Sequence, residues 1–268
     1  YELIVNRCRK CGLKQVKDPI DANKIYKEVD YLYFSSDMPG LSDYFKEYET
    51  QVAEMIEPLA MVVEIGSNDG VMLRHFANDG HTVLGVDPAT NVAIRAMAQG
   101  IPTLPLFFNE RHAKLIEKEM GKAALIYANN CIAHINDLDD VLWGVHALLK
   151  DNGLFVIECN YWGGMVKNKN YALVYHDHFS YFSLKNWVDY APKFGLTVFD
   201  AIVTPAQGGS LRVFMSKDGK PMTERAEKLL EEEVQLGINT AQVAKEYGEN
   251  CVAEAKKLFE LVDGLKKE

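Results

Sequence analysis

Short apolar runs alternate along the chain with segments whose apolar residues recur every three or four positions. The runs predict β-strands, and the longer periodic segments predict helices. The predicted strands are 61–65, 82–86, 101–104, 123–128 and 154–158, and the predicted helices are 43–59, 69–77, 89–99, 110–120 and 138–149. Strands that alternate with helices of this length form βαβ units. The sequence therefore predicts an α/β, doubly wound domain whose parallel sheet is covered on both faces.

Further elements follow this alternation. Residues 196–203 and 211–215 are apolar and flank two glycines, so they predict an antiparallel pair at the edge of the sheet. Beyond Pro221 the chain is rich in Glu, Lys, Ala and Leu, which predicts one or two amphipathic helices interrupted near Gly237 and Gly248. The predicted parts of the chain are residues 1–40, 41–218 and 219–268.

The composition narrows the class of protein. Of 268 residues, 48% are hydrophobic and 25% are charged, which argues against disorder or a coiled coil. Acidic residues number 38 against 29 lysines and arginines, and the net charge of −9 argues against a nucleic-acid binder with a basic surface. No apolar run approaches the roughly 18 residues that cross a bilayer, and the first residues lack the order of a signal peptide. We expect a cytoplasmic protein without a membrane or nucleic-acid partner.

The five cysteines are an odd number, and three of them are widely separated, which argues against a disulfide framework. Cys8 and Cys11 form a Cys-x-x-Cys knuckle, which can present two thiolates to a tetrahedral zinc ion that needs two more ligands. No second pair follows in the sequence. Because the chain begins at Tyr1, close to the knuckle, we interpret it as a fragment that lacks an upstream half-site. A zinc half-site and a plain turn remain equally open.

The most informative stretch is residues 64–70, Glu-Ile-Gly-Ser-Asn-Asp-Gly, which follows a predicted strand and opens a helix. Glycine lets a ligand approach the backbone, and a helix N-terminus offers free N–H groups. The stretch lacks the Gly-Lys-Ser/Thr ending of a P-loop and the glycine spacing of the dinucleotide fingerprint. Asp87 ends the next strand, where a carboxylate can accept hydrogen bonds from both ribose hydroxyls. This combination is typical of doubly wound methyltransferases that use S-adenosylmethionine (SAM).

Two amides extend the predicted nucleoside site. Asn129 and Asn130 follow the fourth predicted strand, at the carboxyl edge where ligands of open α/β sheets bind. The alternative is that Asp87 caps a helix and that the asparagines only form a turn. The predicted cofactor-binding residues are Glu64, Gly66, Ser67, Asn68, Asp69, Gly70, Asp87, Asn129 and Asn130.

A second candidate site lies in residues 175–184, Tyr-His-Asp-His-Phe-Ser-Tyr-Phe-Ser-Leu, just after the fifth predicted strand. A histidine there can take a proton from a substrate, because its ordinary pKa lies near neutrality. A neighbouring Asp or Tyr can orient the imidazole or donate a hydrogen bond to a developing oxyanion. Two alternatives stay open: a His-x-His metal site, and structural histidines before a helix that Ser183 caps.

These segments, together with Ala133-His134 and the stretch 208–212, resemble the sugar C-methyltransferases that act on nucleotide-linked 4-keto-deoxysugars. The resemblance runs from Cys8 to about Met215. Members of that family carry an N-terminal zinc module with two Cys-x-x-Cys pairs, a SAM-binding middle domain and a Rossmann-like C-terminal domain. The resemblance implies a Rossmann-like SAM methyltransferase core with a partial N-terminal zinc-type module and C-terminal helices, in a chain truncated at both ends.

The resemblance also implies catalytic roles. His178 would be the base, with Tyr175 and Asp177 beside it. The family usually has Glu in place of Asp177, which is longer by one methylene. By this interpretation His178 removes a proton from the carbon next to a ketone, and the resulting enolate carbon attacks the methyl group of SAM.

Substrate contacts follow from the same resemblance. Tyr31 and Tyr33, within a Tyr-Leu-Tyr-Phe-Ser-Ser segment, would line the sugar pocket. His176, Gln207 and Arg212 would also face the substrate. Gln207 stands where the family has His, and Arg212 would contact a phosphate.

The expected cofactor is SAM, converted to S-adenosylhomocysteine, with zinc in a longer form of the protein. The expected partner is a small nucleotide-sugar, and the oligomeric state is open. Two other functions compete. One is O- or N-methylation of a small hydroxylated metabolite, and the other is a non-catalytic SAM-binding or interaction module.

Overall fold

The computed structural model describes residues 2–266. Tyr1 and the last two residues, on which the expected truncation depends, lie outside the described residues. The strands are β1 (Val5–Arg7), β2 (Lys14–Val16), β3 (Met61–Ile65), β4 (Thr82–Val86), β5 (Thr103–Leu104), β6 (Ala123–Asn129), β7 (Leu149–Asn160), β8 (Ser180–Tyr181), β9 (Thr197–Thr204) and β10 (Ser210–Ser216). The helices are α1 (Ala22–Tyr26), α2 (Leu41–Ala53), α3 (Leu73–Asn78), α4 (Thr90–Ala98), α5 (Glu110–Met120), α6 (Leu138–Leu148), α7 (Trp162–Asn168), α8 (Leu184–Tyr190), α9 (Glu224–Gln235) and α10 (Ala241–Leu265).

The main sheet has the order β5-β4-β3-β6-β7-β10-β9. Strands β3 to β7 pair in parallel, whereas β10 pairs antiparallel with both β7 and β9. Every residue of β3 and β6 is buried, because apolar clusters pack on the two faces of the sheet. The predicted α/β, doubly wound (Rossmann-like) core and the antiparallel pair at its edge are confirmed.

A small sheet of order β1-β2-β8 joins the N-terminal segment to the histidine-rich stretch. Lys14 of β2 pairs with Tyr181 of β8. The backbone N–H of Val16 donates to the carbonyl of Phe179, and the N–H of Phe179 donates to the carbonyl of Ala133. This pairing anchors the histidine-rich stretch beside the loop that follows β6.

The helices differ from the sequence predictions mainly at their ends. The helix predicted over 43–59 ends at Ala53, and β7 begins at Leu149 instead of 154. The chain breaks at Gly237 as predicted, with φ +59°, but the break predicted at Gly248 is wrong, since α10 continues through it. A single glycine lowers helix stability by only about 1 kcal/mol, which the rest of a long helix can offset. Within residues 2–266 no helix combines the length and apolarity needed to cross a bilayer.

Candidate functional site

A cavity of about 310 Å³ lies at the carboxyl ends of β3, β4 and β6. This is the edge at which open α/β sheets bind ligands, because the loops after parallel strands meet there. Its wall combines apolar rings with carboxylates and amides. The predicted site residues that line it are Tyr31, Tyr33, Glu64, Gly66, Ser67, Asn68, Asp87, Asn129 and Asn130.

The loop after β3 passes close to the loop after β6. Gly66 has φ +70°, and a Cβ built on it would lie 2.6 Å from the Cβ of Cys131. A larger residue would strain the backbone and collide with this neighbour. Glycine at position 66 therefore lets the two loops form one continuous wall of the cavity.

Asp87 is buried at the end of β4. Its Oδ2 accepts a hydrogen bond from the backbone N–H of Asn68 at 2.8 Å, and its Oδ1 accepts one from the N–H of Ala89 at 2.8 Å. Burial raises the pKa of Asp87 to about 6, against the effect of these two N–H donors. Helix α4 has Ala89 as its N-cap, so Asp87 is not the cap of that helix. Each carboxylate oxygen keeps a second lone pair that can accept from a ligand.

Three residues that line the cavity have buried side-chain oxygens without a hydrogen-bond partner among the described residues. The Ser67 Oγ, Asn129 Oδ1 and Asn130 Oδ1 atoms are buried and make no hydrogen bond within the described residues. Buried polar groups normally have partners, so this arrangement fits a ligand that brings several donors. Glu64 accepts a hydrogen bond from the Tyr127 hydroxyl at 3.0 Å, and burial raises the pKa of Glu64 well above its ordinary value.

Two predicted cofactor residues do not line the cavity. Asp69 is fully buried, and its Oδ2 accepts from the Ser36 hydroxyl at 2.5 Å and lies 3.6 Å from Arg95 Nε. Gly70 has φ +75° and packs against Ile101. Asp69 therefore holds the segment around Ser36 in place, and Gly70 allows the turn into α3.

His178 and Tyr175 form a hydrogen-bonded pair. His178 Nδ1 lies 2.9 Å from the carbonyl of Leu173, and Nε2 lies 2.6 Å from the Tyr175 hydroxyl. Burial, together with nearby His134, lowers the pKa of His178 to about 4, so the ring is neutral at pH 7. A carbonyl only accepts, so Nδ1 carries the proton and the Nε2 lone pair accepts from Tyr175. Burial raises the pKa of Tyr175 to about 12, which keeps its hydroxyl protonated.

His134 is one of the cavity residues that the sequence predictions left out of the site. It lines the cavity, its ring centroid lies 4.7 Å from that of His178, and its Nδ1 donates to the carbonyl of Asp177 at 2.7 Å. Burial lowers the pKa of His134, against the effect of the Asp177 carboxylate. His134 thus lies between the cavity and the predicted catalytic residues Tyr175, Asp177 and His178, which do not line the cavity themselves. Its position after β6, at the carboxyl edge, is the sequence signal that could have found it.

Aromatic residues close the cavity on the side of the N-terminal segment. Tyr31 and Tyr33 line it, and so do Tyr26 and Phe107, which the sequence predictions did not include. Burial raises the pKa of Tyr33, and the nearby side chain of Gln207 acts in the opposite direction. Gln207 itself and the half-buried His176 lie outside the cavity wall.

Arg212 does not reach the cavity. The residue is 2% exposed, its Nε donates to Glu158 Oε2 at 2.9 Å, and its Nη2 donates to the Tyr44 hydroxyl at 2.9 Å. The guanidinium also lies 3.3 Å from the ring centroid of Tyr48. The predicted phosphate contact is therefore not supplied by this residue, because its donors are directed into a buried network.

Cys8 and Cys11 keep the geometry of a knuckle. Hydrogen bonds from the backbone of Cys11 and Lys10 lower the pKa of the Cys8 thiol. A structural zinc ion takes four ligands, and the described residues contain no group of three or more His, Cys, Asp or Glu side chains that could hold a metal. The two thiols alone do not make a zinc site.

Comparisons with known proteins show the family to which the chain belongs. Residues 41–201 match a family model described as a methyltransferase domain, and residues 205–268 match one described as a C-methyltransferase C-terminal domain. The C-methyltransferase NovU of Streptomyces niveus is 34% identical over 270 residues, which are 99% of this chain and 64% of that protein. A ubiquinone biosynthesis O-methyltransferase of Bartonella tribocorum is 26% identical over 152 residues, 53% of this chain and 62% of that protein. The chain thus spans less than two thirds of either relative.

Solved structures share the fold. The CcbJ methyltransferase of Streptomyces caelestis superposes with a TM-score of 0.52 at 15% identity, covering 68% of this chain and 94% of that one. A Listeria monocytogenes protein whose structure is described as a SAM-dependent methyltransferase gives a TM-score of 0.50 at 13% identity, covering 65% and 99%. At this identity the likeness concerns the fold alone.

Proposed function

Because residues 41–201 match the methyltransferase domain, the chain belongs to that family, and from this premise we propose that it methylates a carbon atom. The proposed acceptor carbon lies next to the ketone of a nucleotide-linked 4-keto-deoxysugar. The C-terminal match and the likeness to the C-methyltransferase NovU support transfer to carbon. The observation that carries the proposal is the neutral His178–Tyr175 pair, which His134 joins to the cavity.

The residues around the cavity fit SAM. Asp87 offers two carboxylate oxygens to the ribose hydroxyls, and the unsatisfied oxygens of Ser67, Asn129 and Asn130 can accept from the ammonium and amino groups. Aromatic side chains such as Phe107 provide apolar surface for a purine ring. When bound, SAM supplies an electrophilic methyl group on a positively charged sulfur. Zinc has no role in this proposal.

His178 and Tyr175 supply the proton chemistry. The carbon–hydrogen bond next to the ketone breaks, its proton goes to His178 Nε2, and its electron pair delocalises onto the keto oxygen. Tyr175 must first release Nε2, and we propose that its hydroxyl then donates to the keto oxygen of the substrate. The same rotation thus frees the base and stabilises the enolate. Tyr175 is about one-third exposed, so its ring has room to move.

Deuterium exchange tests this proton transfer separately from methyl transfer. We would incubate the chain in D2O with S-adenosylhomocysteine and a nucleotide-linked 4-keto-6-deoxysugar, and follow the protons next to the ketone by NMR. Catalysed exchange at one carbon is expected for the wild type and is expected to be lost in His178→Asn. Asp218→Asn is the control, because Asp218 is exposed and its carboxylate accepts from Ser216, away from the cavity. Absence of catalysed exchange although S-adenosylhomocysteine binds would contradict the proposal.

A second candidate is O-methylation, which the likeness to the Bartonella O-methyltransferase favours. His178 would then take the proton of a substrate hydroxyl, and no enolate would form. The same exchange experiment separates the two functions, since an O-methyltransferase leaves the carbon-bound protons of the sugar in place.

A further inference from the structure

The segment 31–37, which we call the strap, lies between α1 and α2 in the chain and contributes residues to the cavity wall. Tyr31 and Tyr33 line the cavity, whereas Leu32 between them is 88% exposed. Successive side chains over residues 31–33 therefore point in opposite directions, as in an extended chain, whereas Ser35–Asp37 form a short 3-10 helix. The strap has no strand partner among the described residues. Its orientation must come from side-chain contacts.

Asn91, near the start of α4, holds the first of these residues. The backbone N–H of Tyr31 donates to Asn91 Oδ1 at 3.2 Å, and Asn91 Nδ2 donates to the carbonyl of Tyr31 at 2.9 Å. One amide side chain thus pairs with both polar groups of one residue, much as a neighbouring strand would. Asn91 does not line the cavity.

Asn68, in the loop after β3, holds the strap in the same way. Its Oδ1 accepts from the backbone N–H of Ser35 at 2.8 Å, and its Nδ2 donates to the carbonyl of Tyr33 at 3.0 Å. The backbone N–H of Asn68 also donates to Asp87 Oδ2, and Asn68 has φ +48°. A single buried residue therefore contacts both the strap and the carboxylate proposed to bind the ribose.

The end of the strap is fixed by charges. Ser36 donates to the buried Asp69, and Arg95 bridges Ser36 and Asp37, with Nη2 at 3.1 Å from the Ser36 hydroxyl and 2.5 Å from Asp37 Oδ1. The Arg95 guanidinium also lies over the ring of Phe34, 4.5 Å from its centroid. Residue 37 is thereby anchored to α4, while the hydrogen bonds from the side chains of Asn91 and Asn68 set the direction of the two tyrosines.

We propose that Asn91 and Asn68 are positioning residues. They hold Tyr31 and Tyr33 in the part of the cavity wall that would face the sugar substrate, and Asn68 couples this part of the wall to the nucleoside site. Binding of the ribose to Asp87 fixes the backbone of Asn68, and the Asn68 side chain then holds the strap more firmly. The nucleoside should therefore bind first and order the wall that meets the second substrate. The part that concerns the sugar rests on the proposed function, whereas the coupling to the nucleoside does not.

Amide hydrogen exchange tests the coupling without any turnover. We would compare exchange in the peptide 28–38 with and without S-adenosylhomocysteine, with binding of that ligand verified by calorimetry. In the wild type the ligand is expected to slow exchange at Tyr31 and Ser35 by about tenfold or more. In Asn91→Asp, the carboxylate faces the Tyr31 carbonyl with no donor, so fast exchange at Tyr31 is expected with or without the ligand.

Kinetics distinguish positioning from general stability. For Asn91→Asp we expect the KM for the keto substrate to rise about tenfold or more, with the Kd for S-adenosylhomocysteine within threefold of wild type. For Asn68→Asp we expect both constants to rise, because the strap and Asp87 are disturbed together. Asn250→Asp, on the exposed side of α10, adds the same charge far from the cavity and should change neither.

The outcomes separate the two proposals. If S-adenosylhomocysteine does not bind the wild type, the assignment of the nucleoside site fails, and the proposed function fails with it. If it binds but leaves the exchange of peptide 28–38 unchanged, only the coupling fails. Equal KM values for Asn91→Asp and the control would overturn the positioning role.

Discussion

Replacing Asp87 by Asn tests the nucleoside site most sharply, because the two side chains have nearly the same shape. Both carboxylate oxygens accept backbone N–H groups, from Asn68 and Ala89. An asparagine must therefore direct its NH2 group at one of these donors, and it loses the negative charge that strengthens bonds from ribose hydroxyls. The substitution should weaken the site even though no volume changes.

The magnitude follows from the hydrogen bonds. A bond to a charged acceptor contributes about 1.5–3 kcal/mol, and the facing donors add to the loss. We expect a cost of about 3 kcal/mol, which is roughly a 100-fold higher Kd for S-adenosylhomocysteine. In the proposed site the ligand binds the ionised carboxylate, whose pKa burial raises to about 6. The wild-type Kd should therefore rise about tenfold between pH 7.5 and pH 5, as Asp87 becomes protonated.

Isothermal titration calorimetry at both pH values measures these effects. Asp87→Asn should bind weakly and show little of this pH dependence, while Asp218→Asn should match the wild type in both. An Asp87→Asn variant that binds within twofold of the wild type at pH 7.5 would refute the account of the ribose contact.

Three further predictions concern the proton chemistry and the buried charges. Tyr175→Phe should lower kcat by roughly 100- to 1,000-fold, by loss of an oxyanion donor, with an unchanged Kd for S-adenosylhomocysteine; a loss confined to cofactor binding would contradict this. The pKa of His178 lies below its ordinary value of 6.5, so its proton binds the unfolded chain more tightly, and stability should fall as the pH drops from 6.5 towards 4. In urea unfolding, a change from pH 7.5 to pH 5 should lower the unfolding free energy of His178→Asn by about 2 kcal/mol less than that of the wild type. An equal decrease in both proteins would contradict a buried neutral ring. Arg212→Met should lower the unfolding free energy by about 3–5 kcal/mol, because Glu158 is left buried without its cationic partner. The double variant Arg212→Met with Glu158→Leu should recover most of this loss. If Arg212→Met instead lowers substrate affinity at full stability, Arg212 makes the predicted phosphate contact.

The fold was readable from the sequence because the strands of a covered parallel sheet are short apolar runs between amphipathic helices. Motif position also located the part of the cavity wall that follows β3, β4 and β6, since the loops after parallel strands must meet at one edge of that sheet. The break predicted at Gly248 was wrong, because a local propensity was overruled by the length of α10.

The roles of the remaining charged residues depend on distant partners. Asp69 follows the glycine loop, yet it contacts Ser36, 33 positions earlier in the chain. Arg212 pairs with Glu158, 54 positions away, and no local sequence pattern predicts this pair. His134 follows β6 in a short segment without periodicity, so its place at the carboxyl edge could be expected from the sequence but its contact with the ring of His178 could not.

Transfer of a labelled methyl group tests the central claim most directly. The chain would be incubated with SAM carrying a 13C-methyl group and a nucleotide-linked 4-keto-6-deoxysugar, and the product would be examined by two-dimensional NMR. The proposal predicts a labelled methyl group bonded to the sugar carbon next to the ketone, with one-bond carbon–carbon coupling when the sugar is labelled as well. A labelled methyl group on oxygen, or an unmodified sugar despite bound SAM, would contradict it.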